Sequence, residues 1–154
     1  MKFTNVGVFA EYYEKVRKRT ERLIDVIPED EIEWTPVEGK FTFADTIRHL
    51  AAIERFMYAE NVQGNPSRYR GCGPELARGR DAVLQFFERC HQESMAIFDT
   101  LSLEDLNSKC VTPAGTPITV WKWLRLYPST RSTTVGKCIP TWVCSVSRHH
   151  LSTG

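Results

Sequence analysis

Between Tyr127 and Gly154 this chain has no Asp or Glu at all; Ser, Thr, Val and Cys take their place. No apolar run reaches the roughly 18 residues that a membrane-spanning helix needs, and Met1-Lys2-Phe3-Thr4-Asn5 does not begin a signal peptide. Neither sign of charge is in excess: 20 basic side chains meet 19 acidic ones, so no net field draws in nucleic acid or an anionic membrane. Paired cysteine spacing is missing too. Five Cys, an odd number in no short-loop pattern, exclude a disulfide framework and favour a reducing cytoplasm. There is no Gly-rich phosphate loop, no Ser-His-Asp order and no paired carboxylate on a helix face. A chain of 154 residues with 42% hydrophobic content suits one soluble domain with one core, expected in the cytoplasm.

What is present is helical periodicity. Phe9, Tyr13, Val16, Thr20, Leu23 and Ile27 recur at steps of three and four and predict one buried face of a first helix. Glu14, Lys15, Arg17, Lys18, Arg19 and Arg22 fall on its other side, read as a solvated face rather than a phosphate strip. After a loop around Trp34, Thr42 is an N-cap with Asp45 three residues on. The second helix carries Phe43, Ile47, Leu50, Ile53 and Met57 and ends at Gly64-Asn65-Pro66, with His49 bordering its buried side. A third helix starts at about Glu75 or Arg80 and runs to Leu101, with Leu84, Phe87, His91, Met95 and Phe98 at helical spacing. Ser102 to Leu106 reads as a short capped turn, and Val111 to Ile118 as an extended pair around a turn. A fourth helix opens after Thr119 with Val120, Trp121, Trp123, Leu124 and Leu126, and Pro128 is expected to end it. Three long amphipathic helices and part of a fourth predict an all-α, up-down four-helix bundle, its fourth helix truncated or irregular after about Leu126.

Three stretches in order, Trp34-Thr35-Pro36, then Phe43 through Asp45, His49 and Glu54 to Phe56, then Thr119-Val120-Trp121-Lys122-Trp123-Leu124, resemble the DinB-like superfamily. The resemblance covers Met1 to about Leu126, so the bundle is expected over 1–126 with an aberrant tail over 127–154. It implies a four-helix bundle holding one divalent metal (Zn, Ni or Fe) on three His. His49 matches the first ligand. The other two lie one turn apart on the fourth helix of the family, in a motif like Glu-His-Glu-x-x-His, which this chain lacks. Relatives include thiol transferases and isomerases that use bacillithiol, mycothiol or glutathione, and the family as a whole implies transferase or hydrolase chemistry on a small molecule. A non-catalytic interaction or stress-response module is the alternative.

The missing motif has a trace in the genetic code. Codons for Pro128-Ser129-Thr130-Arg131-Ser132-Thr133-Thr134 can be chosen so that the neighbouring frame reads Glu-His-Glu-Ile-His-His-Arg. The next residues continue as Gly-Gln-Met-Tyr-Thr-Tyr-Leu, and Trp142-Val143 forces a Gly because the bases involved are fixed. More than twenty consecutive matches motivate the expectation of a one-base shift near Leu126, in the gene or in its recorded sequence. The polypeptide as written would then keep one ligand, bind no metal and be inactive. Its apolar stripes would lack a full fourth partner, which predicts poor solubility or rescue as a homodimer.

Other candidates are weaker. His149 and His150 with Cys138 and Cys144 have a spacing outside the usual zinc patterns. Cys72, near Arg68, Arg70 and Arg78, is either a thiol activated by cations or part of an ordinary loop. His91 and Cys90 read as core packing.

Overall fold

The computed structural model describes residues 5–35, 37–128 and 131, and apart from one hairpin its regular structure is helical. Helix α1 spans Val6–Asp25, with Asn5 accepting the Val8 N–H at 2.8 Å as its cap. Phe9, Tyr13, Val16 and Thr20 are buried as the periodicity predicts. Two positions differ. Ile24, a step of four from Thr20, is buried where Leu23 was expected. Arg17, expected in solvent, is only 2% exposed: its guanidinium lies 4.2 Å over the Phe87 ring and pairs with Glu21 and Glu88 at 2.8 and 2.7 Å. A long stem packed on an aromatic, with its charge paired, satisfies burial that a bare cation could not.

The second long helical rod has three parts. Helix α2 (Phe43–Ile53) begins with the expected Thr42/Asp45 capping box. Residues Glu54–Tyr58 are π-helical, the Ala59 N–H bonding the Glu54 carbonyl five residues back rather than four. Helix α3 (Ala59–Val62) completes it. Upstream, Trp34 stacks on Phe43 at 5.6 Å and ties the preceding loop to the start of α2.

The chain then doubles back beside this rod, where the Arg68 N–H donates to the Phe56 carbonyl at 2.7 Å. Helix α4 (Arg80–Phe98) packs on α2, and α5 (Leu103–Asn107) is a short helix with its own Ser102/Asp105 capping box. Strands β1 (Lys109–Val111) and β2 (Pro117–Thr119) pair antiparallel, Cys110 opposite Ile118.

From Thr119 the chain enters α6, helical over 120–128, with residue 131 helical as well. Pro128 therefore does not end this helix. A proline in a helix interior costs about 3 kcal/mol. Here burial of Val120, Trp123, Leu124 and Tyr127 offsets it. Helix α6 runs antiparallel to α2: Trp123 stacks on Tyr58 at 4.4 Å, and Tyr127 Oη lies 3.0 Å from the Leu50 carbonyl oxygen. Four residues forward on α6 thus match eight residues back on the facing rod.

The core divides in two. One apolar cluster gathers Phe9, Tyr13, Tyr58, Phe98, Trp123 and Tyr127; the other gathers Ile24, Phe43, Ile47, Leu50, Val83 and Phe87. One set of buried polar residues falls between the two clusters: Arg17 and Thr20 on α1, Glu54 in the π segment, His91 and Ser94 on α4; Thr46, Arg48, Glu60 and Asn61 are buried elsewhere along the second rod.

Candidate functional site

The position of His49 is fixed by the residues around it. Thr42 and Asp45 exchange bonds of 3.0 and 2.9 Å and set the first turn of α2. Arg48, 1% exposed, turns toward the returning loop, where Nε donates to the Cys72 carbonyl and Nη1 to the Ala77 carbonyl, both at 2.8 Å. The same guanidinium pairs with Asp45 at 2.7 Å and Glu33 at 3.2 Å. One side chain thereby pins the loop to α2 and brings Tyr69 against His49.

Tyr69 Oη lies 2.8 Å from His49 Nδ1. The Tyr69 ring meets the imidazole edge-on at 5.6 Å, and Phe41 approaches it at 5.8 Å. Half-burial lowers the His49 pKa below its ordinary value, so the ring is neutral at pH 7. Among the described residues Nε2 has no hydrogen-bond partner, so it is the nitrogen left for chemistry. Tyr69 is raised to about 12, by burial first and then by the Cys72 thiol beside it. A groove of about 720 Å³ opens next to Tyr69, lined also by Met57, Asn61, Ser67, Lys109 and Thr112.

Cys72 is not an activated thiol. It is buried, and that burial pushes its pKa up, so the nearby arginines do not produce a reactive thiolate. Arg48 is occupied with its backbone carbonyl instead. Cys90 is buried as expected, its thiol pushed up to about 12 by burial.

The polar layer between the two apolar clusters is the group that sequence reading missed. His91, read as packing, has Nδ1 3.0 Å from Glu54 Oε1 and Nε2 2.7 Å from Glu14 Oε1. Tyr127 Oη is 3.1 Å from Glu54 Oε2, and Arg131 Nη1 is 3.6 Å from the same oxygen. Arg131 Nε donates to Thr20 Oγ1 at 2.8 Å. Burial alone would raise the Glu54 pKa, but His91 and Arg131 hold it below the usual carboxylate range. A signal was available: Leu50, Glu54 and Tyr58 share one helical stripe, and an acid on an apolar stripe needs a buried partner.

Of the three imidazoles implied by the resemblance, the described residues contain the first alone. No group of three or more His, Cys, Asp or Glu among them is placed to hold a metal ion. His149, His150, Cys138 and Cys144 lie outside the described residues, as does the 129–134 segment apart from Arg131. No described helix is long and apolar enough to cross a membrane.

No curated protein matches this chain. The family model of the DinB superfamily matches residues 12–129, a span that takes in most of α1, the His49 rod, α4 and α6 over 120–128. That match takes in well over half of the chain, and the chain belongs to the DinB superfamily.

Proposed function

We propose that this chain derives from a divalent-metal enzyme with a three-imidazole site, of the thiol-transferase or hydrolase kind, and that the polypeptide as written lacks two of the three ligands. The observation that carries the reading is the alignment of α6 with α2. Tyr127 reaches the carbonyl of Leu50, the residue after His49, so α6 meets the rod that carries His49 at that level. The two motif histidines of the neighbouring frame pair with Ser129 and Thr133, so the chain as written has no imidazole at either position.

Arg131 also supports a displaced reading frame. It is 1% exposed, and its Nη2 has no hydrogen-bond partner among the described residues. Burying a charge with an unmet donor costs several kcal/mol before its pairs offset it. The neighbouring-frame reading pairs this position with Ile, an apolar side chain with no charge to bury beside Phe87.

His49 suits a ligand. When Nδ1–H donates to Tyr69 Oη, Nε2 offers its lone pair, the usual arrangement in which a second partner sets the tautomer of a ligating histidine. One imidazole alone does not hold a divalent ion well, and the described residues do not complete a site for one. The chemistry left here is that of a neutral imidazole beside a phenol, next to a groove of small-molecule size. A low-molecular-weight thiol and a small substrate are the partners this lineage suggests.

The test compares two purified proteins, the chain as written and its neighbouring-frame version, after growth with zinc and nickel. Stoichiometric metal in the second and none in the first is the expected result. Stoichiometric metal in the chain as written overturns it. Metal-free protein in both favours the alternative, a non-catalytic interaction or stress-response bundle, for which the intact packing without a ligand set is the supporting observation. Coding DNA around codon 126 decides the frame directly.

A further inference from the structure

We propose that His91 is a proton-operated clasp: as an imidazolium it joins Glu54 in the core to Glu14 on α1, and loss of its proton releases the Glu14 arm and loosens α1. Both ring nitrogens face carboxylate oxygens, at 3.0 Å for Glu54 and 2.7 Å for Glu14. Only a ring protonated on both nitrogens can donate to two ionised carboxylates at once. A neutral ring has one proton to give and must present a lone pair to the other acid.

The two arms are unequal. Glu54 has a side chain 1% exposed and cannot recruit water, whereas that of Glu14 is 43% exposed and can turn outward at small cost. The remaining proton therefore stays toward Glu54, and the bond to α1 is the one lost.

The other charged and titratable groups facing this ring come from every neighbouring element. Helix α1 contributes Tyr13, stacked on the imidazole at 5.7 Å, and Arg17; α6 contributes Tyr127 and Arg131 through Glu54. Burial works to lower the His91 pKa and Arg17 acts in the same direction, but the two carboxylates outweigh them and hold it above its ordinary value. Arg17, one turn along, keeps its pairs with Glu21 and Glu88, so α1 loosens at its amino-terminal half without detaching.

The experiment follows the imidazole nitrogens of the full chain by NMR from acid to alkaline pH, together with amide exchange in α1 corrected for its intrinsic pH dependence. His91 is expected to titrate above the free-histidine value of about 6.5, with α1 exchange accelerating over the same range. In Glu14→Gln, a partly exposed change that leaves the core intact, the midpoint falls by roughly one unit and α1 exchange no longer follows pH. A wild-type midpoint at or below the free value, an unchanged midpoint in Glu14→Gln, or α1 exchange indifferent to pH each overturns the proposal.

Discussion

Arg48 shows how one buried cation organises a site it does not touch. Its bonds to the Cys72 and Ala77 carbonyls hold the loop that carries Tyr69. Arg48→Met leaves those carbonyls and the Asp45 and Glu33 carboxylates without their donor, and is expected to cost about 2–4 kcal/mol in urea unfolding. The same cluster sets an acid limit. Burial raises the Asp45 pKa, but the Thr42 N–H and the Arg48 guanidinium more than offset it and hold it below the usual carboxylate range. Its contribution is therefore complete above the unfolded-state pKa and lost as pH falls through the folded-state one. Asp45→Asn should flatten the acid limb of a stability–pH curve. At His49 the readout is the tautomer: nitrogen NMR should find Nε2 unprotonated in the native chain and a mixture in Tyr69→Phe. The place of His49 on α2, at the border of the buried side, was legible from helical periodicity. Glu54 and His91 were not, because their partners come from different helices and no local spacing links them.

Among the elements, those with end signals were the easiest to read. Both capping boxes, Thr42/Asp45 and Ser102/Asp105, stand where the side-chain pattern put them. Thr42→Ala is expected to lower stability by about 1 kcal/mol, measured by thermal or urea unfolding. The hairpin was equally plain, with Gly115 at φ +79 supplying the left-handed turn residue. The π segment had no such signal: Glu54–Tyr58 continues an ordinary apolar periodicity, and nothing local marks the wider turn. Pro128 misled for a related reason. Local propensity says stop, while the buried face of α6 is strong enough to carry the helix past it.

For the molecule as a whole, α6 bears on the homodimer expected of a bundle with an incomplete fourth helix. Its buried face covers apolar stripes of the other helices, and among the described residues the large exposed apolar side chains, Tyr12, Val26, Val37, Phe41, Leu103, Val111 and Leu126, are spread over separate segments. Sedimentation at micromolar concentration should therefore find one copy per particle; a doubled mass would count against this covering role. The polar layer has a further effect on alignment. Sliding one helix past another by a single turn moves it about 5.4 Å, enough to strand Glu54 or His91 opposite hydrocarbon. Slippage is thus penalised at one level common to all the rods, like a key seated across several bars. The Glu14–His91–Glu54 chain lies wholly upstream of α6, so these three rods can find their registration whatever sequence follows them.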